Sequence, residues 1–156
     1  MEVPSRARAV IIGGGVVGCS IAYHLGKLGW RDVVLLERKQ LTCGTTWHAA
    51  GLIAQLRATQ NMTRLAKYSQ ELYFGLEAET GIATGFKRNG SITVALTDER
   101  MEELRRSAAM ARAFGVEIDE ITPGDIAGRY PGLATGDVVG GVWLPKDGQA
   151  DPVNIT

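Results

Sequence analysis

Cysteine is scarce in this chain. Its 156 residues contain Cys19 and Cys43 alone, and neither belongs to a C-x-x-C pair or lies near a histidine at metal-ligand spacing. A disulfide framework and a zinc site are therefore poor candidates for organising the fold, and the thiols fit a reducing compartment. Cys19 reads as a small residue packed behind a glycine turn, Cys43 as a loop residue. Net charge is lacking too, with 17 lysines and arginines against 17 aspartates and glutamates. No bulk field draws such a chain to nucleic acid or to an acidic membrane surface. No apolar run reaches membrane-spanning length, and Met1 to Ala7 are too few and too polar for a secretory h-region. Transit segments, internal repeats, low-complexity tracts and linkers are likewise missing. The 45% hydrophobic content is enough to build a core.

What is present begins with Val10-Ile11-Ile12-Gly13-Gly14-Gly15-Val16-Val17-Gly18, an apolar run that breaks into glycines and resumes as a helix. Gly13 suits the tight turn, Gly15 lets a pyrophosphate reach the backbone without meeting a Cβ, and Gly18 lets the helix sit close on the strand. The helix N-terminus then favours phosphate charge. The flanking elements fit the motif: a strand over Arg8–Ile12, a helix over Cys19–Leu28 with Ala22 and Leu25 on its packing side, and Gly29 after the helix end. A second apolar run, Val33 to Leu36, ends in Glu37. That carboxylate stands at the spacing of an acid that accepts hydrogen bonds from an adenosine ribose, and it would repel a 2′-phosphate.

Beyond Glu37, Arg38 to Leu52 shows no clean periodicity and reads as a loop passing over a cofactor. Over Gln60–Thr80, Met62, Leu65, Ser69, Leu72 and Leu76 recur at steps of three and four, which predicts a helix with that stripe facing a core and Gly81 ending it. Ile92, Val94 and Leu96 alternate as in a half-buried strand. Thr97 is an expected N-cap with Asp98 and Glu99 in the first turn, Met101, Leu104, Ala108 and Ala111 forming the buried face, and Gly115 closing the helix. A short strand over Val116–Ile121, a brief helix opened by Thr122-Pro123 and stopped by Tyr130-Pro131-Gly132, and a strand over Val138–Leu144 complete the pattern. Asp151-Pro152 is a helix start with four residues after it. Since an unfinished first turn is unfavourable, and since one strand-helix-strand unit does not complete a dinucleotide fold, the expectation is the N-terminal part of a longer protein with an incomplete fold.

The fingerprint with Ala22, Leu25, Gly29, Glu37 and Arg38, followed by GTTWHAAGL from Gly44 to Leu52, resembles the FAD-dependent amine oxidoreductases of the D-amino-acid oxidase superfamily. Within it the chain is most similar to the sarcosine and dimethylglycine dehydrogenase family. ETGIATGF from Glu79 to Phe86, NGSITVA from Asn89 to Ala95 and DGQADP from Asp147 to Pro152 extend the likeness over nearly the whole chain. The resemblance implies an α/β fold: an FAD-binding Rossmann-like βαβ unit of the glutathione-reductase type with its flavin loop over 1–58, then the start of an α+β substrate domain over 59–156.

It also implies roles. Gly13, Gly15, Val16, Val17 and Gly18 lie against the pyrophosphate, Glu37 binds the ribose, and Arg38 lies at the adenine end. Gly44, Thr45 and Thr46 meet the pyrophosphate and ribityl region, Trp47 is a candidate flavin cover, and Ala49, Ala50, Gly51 and Leu52 complete the flavin loop. His48 matches the histidine that bonds covalently to the flavin 8α carbon, where a neutral imidazole acts as nucleophile. His24, beside Tyr23 in the first helix, reads as a structural side chain. The family reaction is oxidative N-demethylation of sarcosine or dimethylglycine by hydride transfer to flavin, with the protein orienting the methyl carbon and holding the substrate carboxylate. Arg57 and Arg88 are candidates for the carboxylate, although most substrate groups are expected beyond Thr156, and catalytic residues are not identified. Tetrahydrofolate in a later domain, an electron acceptor such as an electron-transfer flavoprotein, and a cytoplasmic (bacterial) or mitochondrial-matrix (eukaryotic) location follow from the same likeness, with no metal. Two rivals stand: a non-catalytic regulatory member that keeps the FAD-binding fold, and a nicotinamide-dependent Rossmann dehydrogenase.

Overall fold

The computed structural model describes residues 4–156, which form two compact units. The first runs to Gly51 and takes in Ala83–Gly85 and Ala150–Thr156; the second comprises Leu52–Ile82 and Phe86–Gln149.

In the first unit, β1 (Ala9–Ile12) leads through the glycines into α1 (Val16–Lys27), and β2 (Val33–Leu36) returns parallel to β1 with Ala9 opposite Val33 and Ile12 opposite Leu36. The amide of Gly13 donates to the Leu36 carbonyl at 2.8 Å, so pairing continues one residue past the strand end. α1 starts three residues earlier than the sequence pattern suggests, which places Val16, Val17 and Gly18 in its first turn. Its end is as expected: Leu28 is the C-cap, and Gly29 at φ +78° takes the left-handed conformation that reverses the chain. The expected start at Asp151-Pro152 yields a turn and no helix. The Asp151 carboxylate accepts the N–H groups of Val153 and Asn154 at 2.8 and 3.0 Å, a cap on a segment too short to propagate.

The second unit contains β3 (Leu52–Ile53), α2 (Gln60–Thr80), β4 (Ser91–Ala95), α3 (Asp98–Ala113), β5 (Asp119–Ile121), α4 (Pro123–Arg129), β6 (Gly140–Leu144) and β7 (Gly148–Gln149). β4, β6 and β5 make an antiparallel sheet in that order, and β3 pairs antiparallel with β7. One face of the three-stranded sheet, carrying Ala95, Val142 and Leu144, packs on Met101, Leu104, Ala108 and Ala111 of α3, the four residues expected to form its buried side. The other face, with Ile92, Val94, Trp143 and Ile121 of β5, packs on Ile126 and Val138. Thr97 caps α3 by accepting the Arg100 N–H, and Thr122 and Asp125 form a reciprocal capping box at α4.

Three expectations need correction. α2 spans Gln60–Thr80 as predicted, but Met62 and Leu65 are exposed and its fully buried residues are Thr63 and Gln70. The apolar stripe is not its packing face, because two polar side chains on another face satisfy neighbouring loop segments. Leu96 is exposed while Ala95 is buried, since β4 ends at Ala95 and the chain turns there into the cap of α3. The strands predicted over Val116–Ile121 and Val138–Leu144 are shorter: Val116, Ile118 and Val138 are buried by packing without belonging to a strand.

Candidate functional site: the glycine turn and the segment after Glu37

The turn between β1 and α1 is shaped by atoms that are missing. Gly13 sits at φ +110°, and a Cβ on Gly18 would overlap the Gly13 carbonyl oxygen, so helix and turn approach as closely as they do only because residue 18 is glycine. A Cβ on Gly15 would stand 2.9 Å from the Thr46 hydroxyl, which accepts the Val16 N–H at 3.1 Å. The bare Gly15 backbone therefore faces Thr46, a contact the sequence reading did not foresee. Thr46 is buried and begins a 3-10 turn over Thr46–His48.

Glu37 is bound to the same turn. Its Oε2 accepts the Gly14 N–H at 2.8 Å and its Oε1 the Lys39 N–H at 3.0 Å. The Gly14 amide foremost, then that of Lys39, holds this carboxyl below the usual carboxylate range, so it is ionised at neutral pH. Gly14 and Thr42 are members the sequence reading missed. The Gly14 carbonyl accepts the Thr42 N–H at 2.9 Å, and Thr42 is buried at φ +67°, an unusual conformation for a β-branched residue. The run of three consecutive glycines, with Gly14 in its middle, was the available signal for Gly14; nothing local marks Thr42.

An open groove of about 550 Å³ runs along β1 and α1, lined by Gly13, Gly15, Val16, Val17, Gly18, Thr45 and Thr46 among others. The first turn of α1 carries no acidic side chain and its N-cap is a glycine, so its N–H groups have no side-chain cap of their own. Such a donor set at a helix N-terminus, with no Cβ over the turn, fits a diphosphate. Glu37, Arg38, Gly44, Trp47, His48, Ala49, Ala50, Gly51 and Leu52 do not line this groove. The His48 ring is exposed and lies against the exposed Trp47 ring at a centroid distance of 3.8 Å. His24 is structural, its Nδ1–H donating to the Ser20 carbonyl at 2.6 Å. Arg57 projects from the second unit with Nη1 donating to the Leu56 carbonyl, whereas Arg88 stacks 4.1 Å over the Phe74 ring. Burial raises the Cys19 thiol pKa, while Cys43 is exposed. No group of metal-ligating side chains occurs among the described residues, and no helix among them is long and apolar enough to cross a membrane.

The family model described as "FAD dependent oxidoreductase" (DAO) matches residues 8–156. The chain belongs to this family. Rat mitochondrial dimethylglycine dehydrogenase is 43% identical over 99% of this chain and 18% of its own length. The mouse mitochondrial pyruvate dehydrogenase phosphatase regulatory subunit is 39% identical over 99% of this chain and 18% of its own. L-proline dehydrogenase from P. horikoshii superposes with a TM-score of 0.89 and 32% identity, covering 96% of this chain and 39% of that one. The chain thus spans about a fifth of the length of the curated relatives named here. Membership of DAO fixes the mixed α/β fold as the FAD-binding portion of such oxidases and removes the support for a nicotinamide-dependent dehydrogenase.

Proposed function

We propose that this chain supplies the FAD-binding portion of an amine dehydrogenase that oxidatively demethylates sarcosine or dimethylglycine. The observation that carries the reading is the turn itself: a helix start whose glycine N-cap supplies no side-chain acceptor, over a Cβ-free glycine turn, with an ionised carboxylate tied to Gly14. In this reading the turn and the first N–H groups of α1 hold the FAD diphosphate, Thr46 and its neighbours Gly44 and Thr45 support that end, and Glu37 takes the ribose hydroxyls through its remaining lone pairs. Arg38 borders the adenine, His48 carries the covalent flavin link, and Trp47 to Leu52 form the flavin loop. When bound, FAD supplies the two-electron acceptor for oxidation of a C–H bond beside the amine nitrogen. Residues 1–58 form the cofactor half and 59–156 begin the substrate half. The identity to dimethylglycine dehydrogenase supports an N-methyl amine as substrate. An electron-transfer flavoprotein as acceptor, tetrahydrofolate as one-carbon acceptor, and a reducing compartment, cytoplasmic or mitochondrial, belong to the same reading.

A second reading rests on the comparable identity to a regulatory subunit: the fold keeps FAD without turning over an amine. Anaerobic addition of sarcosine or dimethylglycine to the intact flavoprotein separates the two. Bleaching of the visible flavin absorbance supports the dehydrogenase. A bound flavin that neither substrate bleaches supports the regulatory reading, and a colourless intact protein removes both.

A further inference from the structure

The chain has three asparagines, Asn61, Asn89 and Asn154, all exposed, and only Asn89 is followed by glycine. An asparagine side-chain amide is open to attack by the backbone nitrogen of the next residue, and a glycine there leaves that nitrogen uncrowded and its backbone free to turn. Packing dictates the glycine. Residue 90 stands at φ +74°, and a Cβ on it would overlap the indole of Trp143, whose ring also has the Arg129 guanidinium 5.0 Å from its centroid. The turn is closed from a second side, because a Cβ on Gly148 would overlap the Lys87 carbonyl oxygen. The fold thus demands a chemically labile Asn-Gly link at the entry to β4.

The same fold restrains the attacking nitrogen. The Gly90 N–H donates to the Asp147 carbonyl at 2.8 Å, and just upstream Lys87 and Gln149 exchange both main-chain hydrogen bonds at 2.7 and 3.0 Å. Asp147 is buried, and its carboxylate also accepts the Ser91 hydroxyl at 2.6 Å and the Gln55 N–H at 2.9 Å. The backbone on both flanks of Asn89 is therefore pinned. Ring closure needs the Gly90 nitrogen to lose its proton and to turn onto the side-chain amide carbon of Asn89, and neither is compatible with an N–H aimed at Asp147 in a packed turn. Asn61 lies in the first turn of α2 and Asn154 in the turn after Asp151, followed by Met62 and Ile155, which makes them two slower comparators in the same chain.

We propose that Asn89 is a deamidation site gated by the Gly90–Asp147 hydrogen bond, reacting only when that turn opens. In the opened turn the Gly90 nitrogen bonds to the Asn89 side-chain carbon as ammonia leaves. Water then opens the five-membered imide at either carbonyl, giving aspartate or isoaspartate with no change of oxidation state. Both products place a negative charge next to Arg88, and isoaspartate adds a backbone carbon that moves the Gly90 N–H off its acceptor. Ageing of the intact protein in mildly alkaline buffer, followed by peptide mass mapping that separates the two products, reads the site. Asn89 should react faster than Asn61 and Asn154, with isoaspartate among the products, yet at least tenfold slower than in the chain unfolded in guanidinium chloride, since local opening of a packed segment is rare. The gate has a readout of its own: the slowing of Asn89 relative to the unfolded chain should equal the hydrogen-exchange protection of the Gly90 amide, because both report one opening equilibrium. Ser91→Ala, which removes a bond to Asp147, should speed both processes by a common factor, each measured against that variant's own unfolded chain, and Ser69→Ala on α2 should change neither. Native and unfolded rates that coincide overturn the gate, as does a deamidation rate that fails to follow Gly90 exchange in Ser91→Ala. Asn61 or Asn154 reacting first, or an Asn89 that stays intact over the time its measured opening requires, overturns the site.

Discussion

The Thr46 hydroxyl and the Gly15 backbone face each other across the space a Cβ on residue 15 would fill, and that same hydroxyl accepts the N–H of Val16 at 3.1 Å. A residue thirty positions along the chain thus finishes the first turn of α1. Replacing Thr46 by valine leaves the half-buried Val16 amide without its partner, at a cost of about 1 kcal/mol in unfolding free energy. Thr46→Ser retains the oxygen and should restore the loss. Urea denaturation of the two variants side by side checks the expectation; equal stability would show that the bond contributes nothing.

Gly18 makes a stronger demand. A methyl group there overlaps the Gly13 carbonyl oxygen, a backbone atom that cannot rotate aside as a side chain could. Gly18→Ala should therefore lift α1 off the turn, destabilise the first unit by about 1–3 kcal/mol, and weaken FAD retention in the intact protein more than it weakens folding. Gly26→Ala, where a Cβ meets nothing within 4 Å, is the matched control. Denaturation together with flavin titration separates the two effects.

Glu37 sets a pH dependence whose sign follows from its environment. Its folded-state pKa is depressed, chiefly by the Gly14 N–H. Its contribution is thus fully present above the unfolded value of about 4.3 and is lost as pH falls from there through the lower folded value. Glu37→Gln should flatten the acid limb of the stability curve below about pH 4.3 and leave the neutral region parallel to wild type. A wild-type acid limb in that variant would assign the dependence to other carboxyls, of which Asp125, held low by Thr122, is the first to examine.

How much of this was legible in the sequence depended on range. The caps at Thr97 and Thr122, the closures at Gly81 and Gly115, and the bounds of α2 are written in neighbouring residues and appear where expected. β3 and β7 pair Leu52 with Gln149, a contact between segments nearly a hundred residues apart, and two-residue strands leave no periodicity to detect. The face of α2 was misread for a related reason. Thr63 and Gln70 look solvent-facing by composition, and only the folded position of Arg57 and Gln55 shows that their polar atoms are satisfied inside. In the glycine turn the motif and Glu37 were visible, but the Thr46 contact and the left-handed Thr42 depend on how the following loop folds back.

Ile126 tests the second unit on its own. It has no exposed surface and joins α4 to the sheet face that carries Ile92, Val94 and Trp143. Ile126→Ala should cost roughly 2–5 kcal/mol, the range for truncating a fully buried aliphatic side chain. Because the first unit has its own strand pairing and helix, a melt followed by the signal of bound flavin and one followed by far-UV circular dichroism should separate in this variant if the units unfold independently.

The exposed ring of His48 is held against Trp47 and sits on a 3-10 turn fixed by the Thr46 bond. An imidazole attached to a flexible loop would spend little time at any one place; one on a turn anchored two residues earlier is delivered repeatedly to the same volume, as bond formation by positioning requires. His48→Ala in the intact protein should therefore leave the flavin extractable with acid, whereas in wild type the yellow colour should remain with the precipitate. Thr46→Val should give an intermediate result, with a fraction of the flavin extractable, because it loosens the turn without removing the nucleophile. Flavin that stays with precipitated His48→Ala protein would place the attachment at another residue, and wild-type protein that releases all its flavin would show that FAD is held here by non-covalent contacts alone.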